Sequence, residues 1–384
     1  MAASERSVRL GLAEPEELGL DASRLKAADD FLAEGLKAEE YTAATYLVAR
    51  HGKVGAMGAM GRLGLGKDSP PAKIDTIFDM ASVTKPVATA TSLMILVERG
   101  ALHLNQPVTA FFPDHSLPHL AGITIKQLAT HTSGLPAWCD LFTDDGSRAK
   151  AIENLLHVPL ENQPGTKRVY SCLGHITLGL VIEQVAGMPL SQFARENIFQ
   201  PLGMMDSGHN PPEDKRGRIA HTANSRARET NLPGDVHDEN AHAMEGNAGN
   251  AGLFSTAPDI AIYAQMMLSG GKSEIRNPKS EMREGVRIFS PLSVGKMMTN
   301  QINPSIGGQA YGFFTHPNEM LPCGDLFSER AAGHTGFTGT SLLIDPEYDM
   351  CVILLTNRVL KNRDGADFVK RRKIFHNMVA SAVR

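Results

Sequence analysis

The sequence predicts an α/β protein of the α+β kind: an antiparallel sheet flanked by helices, with a mostly helical lobe inserted into it. Three observations carry this. Hairpin patterns rich in β-branched and apolar residues stand near both ends, at 46–57 and 340–355. Helical patterns lie outside them, at about 21–37 and 364–383. Between Ala101 and His209 the apolar periodicity is helical and strand signals are few. The expected organisation is therefore a sheet lobe built jointly by residues 1–100 and 250–384, and a helical lobe at 101–249 whose loops line a cleft. Ligands often bind between two such lobes.

Taken in order, Asp21 is an N-cap for the first helix, with Leu25, Ala28, Leu32 and Leu36 on one stripe facing a sheet. The first hairpin turns at His51-Gly52-Lys53, and its second strand is glycine-rich. The stretch 61–67 looks like a phosphate loop until Asp68 replaces the hydroxyl residue that would hold magnesium and Pro70-Pro71 follows, so it reads as a surface loop. A strand-like lead-in at 74–78 runs into an apolar helix over 87–97. Further helices are expected at 148–156, 173–186, 190–199 and 260–268. The polar segment 210–249 is too long for a bland connector, and 270–287 reads as a charged loop. The second hairpin turns at 345–349.

Composition limits the function classes. With 384 residues, 42% hydrophobic and 21% charged, the chain can bury a large core. A net charge of −4 with scattered Lys and Arg leaves no basic stripe for nucleic acid and no polybasic membrane patch. No transmembrane stretch and no apolar run of signal-peptide length appears. Four dispersed cysteines suggest neither a disulfide framework nor a zinc knuckle, and together these features lead us to expect a cytoplasmic protein. His237 and His242 are five residues apart and share no helix face, so no metal is expected there. The segment around them reads equally as a cleft cover that touches substrate and as a hydrogen-bonded surface loop.

The chemistry concentrates at Ser82-Val83-Thr84-Lys85-Pro86. Pro86 has no N–H and is tolerated only in a first helical turn, which puts Ser82 at the helix opening. Residues three apart share a helix face, so Lys85 can reach the Ser82 hydroxyl as a candidate base beside a candidate nucleophile. The helix terminus and burial are expected to lower the lysine pKa. Ser-x-x-Lys recurs at Ser23, Ser147, Ser269 and Ser293, but only the copy at Ser82 has both a proline-fixed start and an apolar helix behind it. A lysine-activated serine needs a further proton-handling group and oxyanion donors. Tyr170, at a turn before a helix, and the glycine-rich 333–341 stretch are candidates; alone, each reads as well as a buried aromatic and a strand bulge.

The ordered set Ser82-Val83-Thr84-Lys85, Tyr170-Ser171-Cys172 and His334-Thr335-Gly336 resembles the serine β-lactamase-like hydrolases. Within them it resembles the branch of class C β-lactamases, D-alanyl-D-alanine carboxypeptidases and related esterases. His131-Thr132-Ser133-Gly134-Leu135, Pro201-Leu202-Gly203-Met204 and 251–256 are also similar, and the likeness runs from about Asp21 to the C-terminus. The resemblance implies an acyl-enzyme on Ser82, with Lys85 and Tyr170 sharing its proton and the backbone N–H groups of Ser82 and Phe337 forming the oxyanion hole. It implies substrate contacts from Cys172, His334, Thr335 and Gly336, and no cofactor. Two departures stand out: Cys172 replaces an asparagine and His334 a lysine of the β-lactamase pattern. A mostly neutral histidine anchors a carboxylate less well than lysine, so a small ester, amide or D-peptide is expected as substrate, with esterase character above β-lactamase character. The alternatives are a D-alanyl carboxypeptidase or β-lactamase and, from another class, a non-catalytic ligand sensor on the same fold.

Overall fold

The computed structural model describes residues 9–142, 146–223, 232–274, 285–361 and 366–384. The middle of the 270–287 segment, part of 210–249 and the expected helix start at Asp364 lie outside these residues.

Seven strands form the main sheet, in the spatial order Gly11–Leu12, Lys53–Gly61, Ala43–Arg50, Met350–Thr356, Ser341–Asp345, Ala332–Thr335 and Phe314–Thr315. All neighbours are antiparallel except the first pair, in which the short edge strand runs parallel to Lys53–Gly61. The two ends of the chain meet at the centre, where Leu47 lies opposite Ile353 and Val48 opposite Val352. Side chains alternate across a strand, and both faces are covered. Tyr46, Val48, Val352 and Leu354 pack with Leu25, Leu32, Phe368 and Phe375 from the helices Ala22–Lys37 and Ala366–Ala380. Leu47, Ile353 and Leu355 face Ile260 and Ala264 of the helix Ala257–Leu268. Burial on both sides explains why these strands read as continuous apolar runs.

Asp21 caps the first helix by accepting from the Ser23 and Arg24 amides. The helices Arg148–Leu156 and Cys172–Ala186 also form as the periodicity predicts. Other expectations are corrected. The lead-in to Ser82 is strand only at Phe78–Asp79, which pairs with Leu253–Ser255 in a separate three-stranded sheet. The helix expected at 190–199 is broken into an α-turn at Leu190–Ala194, a wide π-turn at Arg195–Phe199 and a last turn at Gln200–Leu202. Two helices had no periodic signal strong enough to predict them, Glu239–Ala243 and Pro291–Met298. Asn357 ties the sheet to its surroundings, accepting from the Thr42 and Ala43 amides and donating to the Leu63 and His221 carbonyls.

At the start of Ala257–Leu268, Asp259 is buried, and its Oδ2 accepts from the Asp206 amide and the Ser207 hydroxyl, each at 2.8 Å. Burial pushes its carboxyl up to about 6, against which these hydrogen bonds work only partly. The folded state then holds the proton more tightly than the unfolded chain, so this group's contribution is present below about pH 4 and is lost as pH rises through about 6. Asp259→Asn can present its amide oxygen to both donors and carries no charge. Denaturant titrations at several pH values should show the variant losing less stability than wild type between those two pH values, by roughly 2 kcal/mol. Identical pH dependence in the two proteins would show that Asp259 does not carry this penalty.

Candidate active site

Ser82 lies in a tight 3-10 turn, Ala81–Val83, where the sequence suggested the first turn of a regular helix. A π-turn follows at Lys85–Ala90 before the α-helix Thr91–Glu98 begins. Pro86 disturbs the ladder, and its own carbonyl is taken up by the Thr91 and Tyr263 hydroxyls. Wide turns of this kind recur at functional sites. Ala81 takes a left-handed backbone conformation, φ +46°, uncommon for a residue with a Cβ. Buried Asp79 holds it there: one carboxylate oxygen accepts from the Ala81 amide at 2.8 Å, the other from the His237 amide at 2.7 Å. The Ser82 turn is thereby tied to the segment that carries His237.

Lys85 is fully buried. Its Nζ donates to Ser82 Oγ at 2.9 Å and to the Asn250 carbonyl at 2.9 Å, and lies 3.6 Å from Cys172 Sγ. An ammonium has three N–H groups, and here each has an acceptor. Burial works against the cation, but the charges that Cys172 and Tyr170 can carry outweigh it and raise the lysine pKa. The expected lowering is thus reversed, with the Asp238 carboxylate acting in the same direction as these two neighbours. Burial pushes Tyr170 and Cys172 up as well, with Lys85 pulling each back.

Tyr170 lies against Lys85, whose Nζ is 4.9 Å from the ring centroid, and its hydroxyl interacts with both Ser82 and Lys85. The 131–136 turn fixes it in place. The His131 carbonyl accepts from the Val169 amide and His131 Nδ1 from the Ser171 amide, while Ser171 Oγ donates to the Pro136 carbonyl and caps the helix behind. Gly134 is required in that turn, since a Cβ there would stand 2.1 Å from the Asn162 carbonyl oxygen at φ +85°.

A cavity of about 480 Å³ opens on Ser82, Tyr170, Cys172, Thr335, Gly336 and Phe337. The strand Ala332–Thr335 reaches the nucleophile turn through the following loop: Thr338 and Thr340 hydroxyls donate to the Asp79 and Met80 carbonyls. His237, Asp238 and Glu239 form part of the wall, so the 237–242 segment faces the cavity at its first residues. Asp238 accepts from the Ala241 amide and from Asn250 Nδ2. Among the described residues no cluster of His, Cys, Asp and Glu is fit to hold a metal ion.

One predicted substrate contact is displaced. His334 is fully buried and stacks on Phe314 at 4.2 Å between ring centroids, 6.0 Å from the Tyr170 ring, so its side chain does not reach the cavity. With His131 and His175 it forms a buried histidine group around Tyr170, all three driven well below the ordinary histidine range by burial first and held neutral. Sequence reasoning missed Asp79, the Asn250 carbonyl, Arg358 and Arg372. Only Asn250 left a trace, in the small residues that flank it. A Cβ on Gly249 would come 1.9 Å from the His175 carbonyl oxygen, which lets this backbone press against the helix Cys172–Ala186 and reach Lys85.

A serine, a lysine and a tyrosine are thus brought together beside the strand Ala332–Thr335, on a fold whose family is that of beta-lactamase-like hydrolases. The chain belongs to the beta-lactamase family, whose profile matches residues 28–373. It is 34% identical over 319 residues to an N-acetylmuramyl-L-alanine amidase of Bacillus subtilis (strain 168), covering 75% of this chain and 70% of the relative. It is 29% identical over 381 residues to a protein of Escherichia coli (strain K12) named as a D-alanyl-D-alanine carboxypeptidase, covering 90% and 84%. Among solved structures it is similar to EstCE1, a hydrolase with promiscuous acyltransferase activity, with a TM-score of 0.71, 22% identity, and coverage of 91% and 99%.

Proposed function

We propose that this protein cleaves an ester or amide through an acyl-enzyme on Ser82, with esterase character above β-lactamase character. The observation that carries the reading is the Lys85 ammonium, 2.9 Å from Ser82 Oγ, with the Tyr170 hydroxyl in the same hydrogen-bonded group. Once the Lys85–Tyr170 pair has lost one proton, it can take the Ser82 proton as Oγ attacks the substrate carbonyl. The tetrahedral oxyanion is held by the Ser82 and Phe337 backbone N–H groups. The pair then returns the proton to the leaving oxygen or nitrogen as its bond to carbon breaks, and water repeats the sequence to release the acid.

The absence of a lysine at 334 supports the esterase preference, since the neutral His334 leaves no fixed charge there for a β-lactam carboxylate. A D-peptide amide is the second reading, favoured by the similarity to the relative named as a carboxypeptidase over 90% of this chain. Cys139, Cys172, Cys323 and Cys351 are free thiols, in keeping with the cytoplasmic setting proposed here. No single helix among the described residues is long and apolar enough to cross a membrane.

A fluorophosphonate should add one covalent group to wild type, located by peptide mapping at Ser82. Ser82→Ala should lose both that label and turnover of short-chain p-nitrophenyl esters while keeping its melting temperature. Undiminished labelling of the alanine variant would overturn the assignment of the nucleophile.

A further inference from the structure

Asp238 is a carboxylate of the cavity wall that the acyl-enzyme chemistry leaves unused. Both of its protein hydrogen bonds fall on one oxygen: Oδ1 accepts from the Ala241 amide at 2.8 Å and from Asn250 Nδ2 at 3.1 Å. Oδ2 has no hydrogen-bond partner among the described residues, and none of their cationic side chains forms an ion pair with this carboxylate. Lys85, whose charge reaches it, already directs its N–H groups at Ser82, the Asn250 carbonyl and Cys172. The Cys172 thiol, which also feels the Asp238 charge, is only a weak donor. The side chain is held in place from both directions along the chain. The His237 amide donates to Asp79 Oδ2 at 2.7 Å, and Asn240 accepts from the Leu141 amide at 2.9 Å and donates to the Cys139 carbonyl at 2.8 Å. Desolvation raises the Asp238 pKa above the ordinary carboxylate range, against the Ala241 and Asn250 hydrogen bonds and the charge of Lys85. A cation on Oδ2 would act in the same sense as those three.

We infer that Asp238 Oδ2 is an ammonium-binding point of the catalytic cavity, so that the hydrolase selects esters or amides that carry a primary amino group close to the scissile bond. The inference rests on the acyl-enzyme reading above and adds a class of substrate to it. A carboxylate only accepts hydrogen bonds, so what meets Oδ2 is a donor. A charge without a protein counter-ion favours a cationic donor over a neutral one. With Oδ1 already engaged, one oxygen is offered. That suits a compact ammonium better than the planar fork of a guanidinium, which matches two oxygens. The amino group must lie near the reacting carbonyl, because Lys85 and Cys172, whose charges couple to Asp238, stand at Ser82.

The test uses the full chain and matched pairs in which an ammonium replaces a methyl group. D- and L-alanine p-nitroanilide are compared with isobutyryl p-nitroanilide for an amine on the acyl side, and 4-(aminomethyl)phenyl acetate with 4-ethylphenyl acetate for one on the leaving side. Asp238→Asn keeps an acceptor for the Ala241 and Asn250 donors and remains a good N-cap, but presents an NH2 group where Oδ2 stood. Reading the ratio of kcat/KM within a pair, in wild type against the variant, removes both the intrinsic reactivity of each compound and any general effect on Lys85. In at least one pair that ratio should fall roughly tenfold in Asp238→Asn, the size of one charge-assisted hydrogen bond. Asp238→Glu should keep part of it. Fluorophosphonate labelling of each variant shows whether the nucleophile site is intact. Calorimetry with benzylammonium and benzyl alcohol reads the contact without turnover: wild type should bind the cation and not the alcohol, and Asp238→Asn should lose the cation. Where Asp238→Asn does not label, the Asp238→Glu ratio and the wild-type calorimetry decide. Ratios unmoved by the substitutions in every pair, or equal binding of benzyl alcohol and benzylammonium, would overturn the ammonium point while leaving Ser82 in place. Failure to label or turn over any ester or anilide, with benzylammonium still bound by wild type, would overturn the acyl-enzyme reading alone.

Discussion

Lys85→Ala is expected to lower kcat/KM for a p-nitrophenyl ester by about 10³-fold, Tyr170→Phe by about 10²- to 10³-fold, and the double variant by little more than the worse single change. The reason lies in the shared contacts. Lys85 Nζ reaches Ser82 Oγ and the Asn250 carbonyl at 2.9 Å each, and the Tyr170 hydroxyl depends on Lys85 for the attraction that opposes its desolvation. Removing either partner leaves the other unable to hold the serine proton. Losses that simply multiply would mean that the two side chains act separately. The pH profile provides a second check. Both groups are raised above their ordinary values, so the wild-type rate should climb from neutral into alkaline pH as the pair loses its proton. Tyr170→Phe should lose this rise along with most of the rate. Lys85→Met, which keeps volume without charge, guards against the packing defect that alanine leaves in a fully buried position.

Gly336→Ala is expected to cost about 10²-fold or more in kcat and roughly 1–3 kcal/mol of stability. A Cβ at this position would stand 2.0 Å from Thr340 Oγ1, 2.6 Å from the Met80 carbonyl oxygen and 3.3 Å from Ala81 Cβ. The Thr340 hydroxyl is the group that bonds Met80, at 2.9 Å. It cannot move aside without loosening the strand end from the nucleophile turn, and Phe337 would move with it. Activity and thermal melts should fall together. A variant with wild-type kcat would show that the contact between loop 336–340 and the Ser82 turn does not position the oxyanion donor.

The sequence carried the parts of this site that depend on local rules. Pro86 marks where the helix starts, and the spacing from Ser82 to Lys85 puts them on one face; both survive in the structure even though the turn is 3-10 followed by π. The two hairpins were visible because Val48, Val352 and their neighbours must be apolar to be covered on both faces. Side-chain environments set by distant chain segments were not legible. The direction of the Lys85 pKa depends on Cys172 and Tyr170, which stand far along the chain on another helix and the turn before it. His334 had the family's motif position, but stacking on Phe314 turns it inward, and no pattern along 333–341 reports that. Nothing along 364–383 marks Arg372, which only the fold sets against Thr340 and the cavity.

The central claim is that Ser82 becomes acylated during turnover. Mixing wild type with p-nitrophenyl butyrate, quenching in acid within the pre-steady state and measuring intact and peptide masses tests it most directly. The account predicts a burst of about one p-nitrophenolate per chain and a butyryl group on the peptide that contains Ser82, both lost in Ser82→Ala. Steady turnover with no burst and no acyl adduct on that peptide, in a protein whose rate survives the Ser82→Ala change, would contradict it.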